Sequence, residues 1–291
     1  MSGWDNSDIP DQSGRRVIVT GANSGLGAAA ARALAAAGAE VILACRNLEK
    51  AQVVAAEIGE RAQVRKLDLS DLASVREFAE SVDRADVLMN NAGVMAVPLG
   101  RTAEGFEMQF GTNHLGHFAL TGLLLDKITD RVVTVSSWGH RFGRINLGDP
   151  NWEQRRYDRW LAYGQSKLSN LLFTGELQRR LTAAGSAKLA TAAHPGYAAT
   201  ELTKHTESFF DTLMILGDRI IAQSAEKGAL PQLFAATADA EPGGYYGPEG
   251  IGGLRGYPIR CGQNKASRDE RVARELWELS EKLTGVTYRF G

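Results

Sequence analysis

Short apolar runs alternate along this chain with longer stretches in which apolar residues recur at helical spacing. Residues 15–21 (RRVIVTG) form a β-branched run ending on glycine; ANSGLG follows, then an alanine-rich stretch that stops at Gly38. The pattern predicts strand, tight turn, helix. It returns several times: strands over 40–46, 63–69, 85–93, 131–137 and 188–196, with helices over 50–60, 70–81, 111–127 and 161–184 between them. The strand runs are short and, outside 63–69, rich in apolar residues, as strands covered on both faces are. Alternation of this kind predicts an α/β fold, a single doubly wound Rossmann domain over 1–291, with a parallel sheet of about seven strands, helices on both faces and right-handed crossovers. Past residue 200 the rhythm changes to an amphipathic stretch near 203–224, a helix at 225–238, a glycine-rich run at 241–258 and a last helix at 269–283. No linker composition marks a second domain.

Charge and cysteine content narrow the class of partner. Lys plus Arg number 33 against 34 Asp plus Glu, a net charge of -1, so no overall field draws the chain to nucleic acid or an anionic membrane. Cys45 and Cys261 stand far apart with no CxxC neighbour, which argues against a disulfide framework or thiolate metal site and fits a reducing cytoplasm. The polar N-terminal residues lack the apolar core of an export signal. The apolar stretch Phe209 to Ala222 is interrupted by Asp211, Gly217, Asp218 and Arg219, so no membrane span is expected.

The segment Gly21, Ala22, Asn23, Ser24, Gly25, Leu26, Gly27 falls at the first strand-to-helix turn, where a pyrophosphate meets a helix N-terminus. Its spacing departs from GxGxxG, and glycines in a turn can be purely conformational, so the placement carries the reading of a dinucleotide site. An NAD site calls for an acid near the end of the second strand. This chain has Ala44, Cys45 and Arg46 there. Arg46 could pair with the additional phosphate of NADP, its alternative being a solvated surface arginine.

That turn, with Asn90-Asn91-Ala92-Gly93, Ser136-Ser137, Tyr163 to Lys167 and Pro195-Gly196, resembles the short-chain dehydrogenase/reductase family along nearly the whole chain. The wording of ACRN, NHLGHF, SKLSN and HPG is most similar to retinol-dehydrogenase-like and protochlorophyllide-reductase-like members. The resemblance implies hydride exchange between NADP(H) and a carbonyl or alcohol, with Tyr163 as general acid or base. It implies that Lys167, four residues on and on the same helical face, lowers the Tyr163 pKa and holds the nicotinamide ribose. Ser137 would stabilise charge on the substrate oxygen, and Asn113 would hold a water joining the lysine to solvent. The same comparison assigns Asp68 and Leu69 to the adenine, Asn91 and Gly93 to the nicotinamide ribose, and Pro195, Gly196 and Thr200 to the nicotinamide amide.

His114 and His117 lie three apart on a helix, but no further ligand completes a metal set, and no metal is expected. Trp152, Tyr157 and Trp160, between Ser137 and Tyr163, would either wall a pocket or fill core. The stretch at about 200–225 occupies the family's substrate lid, and its Phe209, Phe210, Leu213, Met214, Ile215 and Leu216 suit a lipophilic small molecule. A lid packed against a second copy of the chain would read the same, so a homo-oligomer stays open. The rival reading is a non-catalytic NADP-binding regulatory protein on the same fold.

Overall fold

The computed structural model describes residues 3–196 and 223–290. Among the described residues eight strands make one sheet in the order β3-β2-β1-β4-β5-β6-β7-β8: β1 Arg16–Thr20, β2 Glu40–Cys45, β3 Ala62–Lys66, β4 Ala85–Asn90, β5 Ile128–Val135, β6 Leu189–Ala193, β7 Tyr245–Pro248 and β8 Pro258–Arg260. Every pairing is parallel except β7 with β8. The sheet therefore has one strand more than the sequence pattern predicts, and its edge strand is antiparallel. Pro248 and Pro258 face each other at the last pair of the β7/β8 register, and with no N–H to donate they end that ladder.

The α-helices among the described residues are α1 Gly25–Ala36, α2 Leu48–Ile58, α3 Leu72–Glu80, α4 Met108–Phe110, α5 Gly116–Leu124, α6 Arg159–Ala183, α7 Ala225–Thr237 and α8 Glu270–Thr284. Between α4 and α5 runs a π turn, Gly111–Leu115, where the sequence pattern predicts unbroken α-helix. The turn inserts one residue per circuit, a device that periodicity does not reveal and that recurs at functional sites.

Side chains on alternate strand positions feed two cores. Ile18, Ile42, Leu88 and Val132 point to one face, against Phe78 of α3, Phe118 of α5, Leu172 of α6 and Trp277 of α8. Val17, Val19, Val41, Leu43, Met89 and Val133 point to the other, against the alanines and Leu34 of α1, Val54 of α2 and Leu233 of α7. This two-sided burial explains the apolar strand runs. Strand order reverses between β1 and β4, and at such a switch point the carboxyl ends of the strands open a crevice. Among the described residues no helix is long and apolar enough to cross a membrane.

Candidate active site

A cleft of about 350 Å³ opens at this switch point. Its floor is the turn after β1, contributed by Gly21, Asn23, Ser24, Gly25, Leu26 and Gly27; its walls are Arg46 after β2, Asp68 and Leu69 after β3, and Asn91 and Gly93 after β4. Eleven positions that sequence comparison assigns to a cofactor thus share one cavity. Gly21 adopts a left-handed conformation, φ 68°, which turns the chain sharply out of β1. A β-carbon on Gly27 would fall 2.4 Å from the Gly21 carbonyl oxygen and 2.6 Å from Asn91 Nδ2, so only glycine lets α1 begin this close to the strand ends.

The start of α1 differs from those of its neighbours. Asn47, Asp71, Asp158, Ser224 and Asp269 each cap their helix with a side-chain oxygen that accepts from the first turn. Ser24 makes no such bond, and the first turn of α1 holds no acid. Its leading N–H groups and the positive end of its dipole face the cleft, an arrangement suited to a phosphate anion. At the end of β2 the cleft is lined by Arg46, Asn47 and Lys50, with no carboxylate among them. Sequence reasoning passed over Lys50; its signal is its position in the first turn of α2, four residues beyond Arg46.

The remaining site residues gather beyond Gly93. A β-carbon built there would stand 3.1 Å from Asn113 Oδ1 and 3.3 Å from Lys167 Nζ, so the cleft and the Asn113/Lys167 pair adjoin. Asn113 lies in the π turn, fully buried. Its Oδ1 accepts from Val94 N at 2.8 Å, and its Nδ2 donates to Val94 O and to Ser166 Oγ, both at 2.9 Å. Lys167 Nζ donates to the Val135 carbonyl at 3.1 Å and sits 5.8 Å from the centre of the Tyr163 ring. Burial draws the Lys167 ammonium down to about 8.

Burial also pushes the Tyr163 phenol up to about 12, opposed by a hydrogen bond with Ser137. The sequence reading expects Lys167 to lower this pKa; in the structure desolvation by burial is the largest influence on it. The lysine is committed to Val135 and lies beside the tyrosine ring, so desolvation governs the phenol. Ser137 is half-buried at the end of β5, and its Oγ accepts from Gly139 N at 3.1 Å. Ser136 is turned away, donating to the Lys167 carbonyl at 2.8 Å. His140 Nδ1 lies 2.7 Å from the Ser137 carbonyl oxygen, which ties down the backbone of the serine.

Pro195 and Gly196 follow β6, beside β5 and outside the lining of the cleft. The Pro195 carbonyl accepts from Gln223 Nε2 at 2.6 Å. Thr200 and residues 200–222 of the expected lid lie outside the described residues. Trp152 is buried against Arg155, whose guanidinium carbon is 3.6 Å from the indole centre, while Trp160 is exposed. The sequence left core and pocket wall open for these residues; Trp152 is core. His114 and His117 face different partners, Ser280 Oγ and Thr20 Oγ1, each at 2.9 Å.

Comparison with known proteins joins this geometry to a family. Residues 15–209 match the family described as short chain dehydrogenase. Human retinol dehydrogenase 13 is 44% identical over 292 residues, covering 94% of this chain and 85% of that protein. Human retinol dehydrogenase 11 is 42% identical, covering 94% and 86%. A crystal structure of an uncharacterized protein from Mycobacterium Paratuberculosis is 51% identical, with a TM-score of 0.88, and covers 99% of this chain and 100% of that one.

Proposed function

The chain belongs to the short chain dehydrogenase family, a family of oxidoreductases, and from that premise we propose that it uses NADP to exchange hydride with a lipophilic carbonyl or alcohol. The observation that carries the reading is the abutment at Gly93 of a dinucleotide-shaped cleft on the one side and Lys167, with its neighbours Tyr163 and Ser137, on the other. A phosphate-binding turn alone would serve many proteins; a cleft whose far end meets a buried tyrosine and lysine and a half-buried serine serves proton and hydride transfer.

The residues present fit NADP. The uncapped start of α1 and the backbone space at Gly27 suit the pyrophosphate. Arg46 and Lys50 supply positive charge where an NAD site would place a carboxylate. Asp68 and Leu69 would flank the adenine, Asn91 and Gly93 the nicotinamide ribose, and Pro195, Gly196 and Thr200 the nicotinamide amide. When bound, the nicotinamide supplies or accepts the hydride.

The side chains handle the proton. Reduction of a carbonyl leaves negative charge on its oxygen, and Ser137 donates a hydrogen bond to that oxygen. Tyr163, held neutral by burial, gives its phenolic proton to the same oxygen, and in the oxidative direction takes it back. Lys167 would hold the nicotinamide ribose and offset the phenolate that forms when Tyr163 has given up its proton. Asn113 keeps the Val94 backbone in place beside them. The retinol dehydrogenase relatives and the apolar character of residues 209–216 favour a lipophilic substrate.

The test is turnover of NADPH with a panel of long-chain and isoprenoid aldehydes and ketones, alongside Tyr163→Phe. Consumption of NADPH that depends on the carbonyl and falls by about a thousandfold in Tyr163→Phe is expected. Undiminished turnover in that variant would remove Tyr163 from the chemistry. Tight nucleotide binding with no turnover on any carbonyl would favour the regulatory reading.

A further inference from the structure

His117 stands 1% exposed one residue into α5, behind the Asn91–Val94 wall of the cleft, and the proposed reaction gives it no part. Its Nδ1 is 3.1 Å from the Asn113 carbonyl oxygen in the π turn, and its Nε2 is 2.9 Å from Thr20 Oγ1 at the end of β1. Counting hydrogens determines the direction of both bonds. A carbonyl only accepts, so Nδ1 carries the proton. Thr20 Oγ1 already accepts from Asn91 N and Ala92 N, each at 2.9 Å, which fills its two lone pairs. Its own proton must then go outward, and the bare Nε2 of His117 at 2.9 Å is a shorter partner than the Met89 carbonyl at 3.3 Å.

These bonds close a ring. Thr20 holds the amides of Asn91 and Ala92; Asn113 holds both backbone groups of Val94; His117 joins Thr20 to the carbonyl of Asn113. The Asn91–Val94 segment, which lines the cleft and adjoins Lys167 at Gly93, is pinned at both ends through one imidazole. We propose that His117, as its Nδ1-protonated tautomer, is a positioning residue that locks the π turn to the end of β1 and so holds the cleft wall against Lys167. The functional half of this inference rests on the reading of the cleft as the dinucleotide site.

His114 is a control within the same turn. Ser280 Oγ donates to the Leu276 carbonyl at 2.7 Å and so must accept from His114 Nε2, which gives His114 the opposite tautomer. His114 lies among Phe110, Phe118 and Phe173, and among the described residues no hydrogen bond of its ring reaches the cleft wall. A buried histidine that is only core behaves as His114 does.

Two measurements on the full chain test the proposal. Long-range proton–nitrogen NMR of histidine-labelled protein is expected to show His117 protonated on Nδ1 and His114 on Nε2. An Nε2-protonated or doubly protonated His117 at neutral pH overturns the ring, whatever the enzyme does with any substrate. In kinetics, His117→Phe is expected to lower kcat/KM for NADPH by about tenfold, His117→Asn, which keeps a donor to Asn113, to recover part of that loss, and His114→Phe to leave it unchanged. Combining His117→Phe with Thr20→Val should cost no more than the larger single change, because both cut the same link. Full activity in a folded His117→Phe, or additive losses in the double variant, overturns the proposal. Should no carbonyl be turned over, the proposed reaction fails, while NADPH affinity in the same variants still reads the positioning role.

Discussion

A β-carbon on Gly93 would stand 3.3 Å from the Nζ of Lys167, closer than such contacts ordinarily come. Glycine at this point lets the cofactor wall and the buried ammonium share one boundary. The relationship matters because Lys167 also holds the Val135 carbonyl, the last residue of β5 before the Ser136-Ser137 pair. One side chain thus reports on the spacing of β4 and β5 at their carboxyl ends.

Gly93→Val tests that spacing. Its branched side chain must push Nζ or Asn113 Oδ1 aside, since both lie within 3.4 Å of the new carbon. A displacement below 1 Å at a reacting group can cost on the order of a hundredfold in rate. We expect kcat to fall by about ten- to a hundredfold, with a smaller change in the binding of NADPH, whose proposed phosphate site lies at the other end of the cleft. Stopped-flow turnover with a separate fluorescence titration checks this; an unchanged kcat means that Lys167 can move without consequence.

Much of this layout is legible in the sequence, for physical reasons that also mark its limit. Strands β1, β2, β4, β5 and β6 bury most of both faces and so read as apolar runs, while β3, at the sheet edge, is only partly buried; the turn at Gly21 to Gly27 announces itself by its place between β1 and α1. β7 and β8 do not: Tyr245–Pro248 and Pro258–Arg260 are short and lie in or beside a glycine-rich run whose composition signals turns. The π turn has no compositional mark, so the bonds of Asn113 and His117 could not be foreseen from spacing. Lys50 hid among the exposed polar residues of α2, because a sequence does not show which side of a helix start faces a cleft. The tyrosine–lysine pairing was visible, but not that burial would outweigh the lysine in setting the phenol.

Acid should unfold the protein early. Burial lowers His114 and His117 to about 3 and His194 to about 4, so all three stay neutral in the native state where an unfolded histidine, near 6.5, takes up a proton. Between those values the unfolded chain binds more protons, hence stability rises with pH and is lost as pH falls below about 6.5. Each such group contributes a slope of about 1.4 kcal/mol per pH unit once the unfolded form is fully protonated. Urea midpoints at pH 7, 6 and 5 should drop steadily, and His114→Phe should flatten the decline by about one group's share. Equal midpoints at pH 7 and 5 would contradict the buried neutral histidines.

Alkali should act in the opposite sense through Lys167. Its native pKa of about 8 is below the usual 10.5, so between these values the unfolded chain again holds the extra proton. Stability contributed at this position therefore rises as pH goes from about 8 towards 10.5. Tyr163 is raised to about 12 and reverses the trend only above about 10. Measured as the difference between wild type and Lys167→Met, shared titrations such as that of buried Cys45 cancel. The wild type should gain on the variant between pH 7.5 and 9.5 in thermal melts; a constant difference would show that the ammonium is not desolvated.

The proposed preference for NADP rests on the end of β2. Arg46 lines the cleft there and Lys50 sits in the first turn of α2; Glu49 between them is not part of the cleft lining, so no carboxylate stands in the cleft at this end to receive a ribose hydroxyl. A 2'-phosphate carries up to two negative charges, and an arginine meets it with a paired set of N–H donors while a lysine adds a point charge. Arg46→Ala should weaken NADPH binding by about ten- to a hundredfold and leave NADH nearly unchanged, since hydrogen bonds to charged groups contribute roughly 1.5–3 kcal/mol. Lys50→Ala should cost less, and its effect should shrink in 0.5 M salt more than that of Arg46→Ala, because an exposed point charge is screened and a bidentate pair is less so. Arg46→Asp should go further and invert the preference, placing a carboxylate where an NAD site has one and repelling the phosphate. Equal losses for both nucleotides in Arg46→Ala would mean that this arginine shapes the cleft without reading the phosphate, and would return the choice of cofactor to residues elsewhere along its walls.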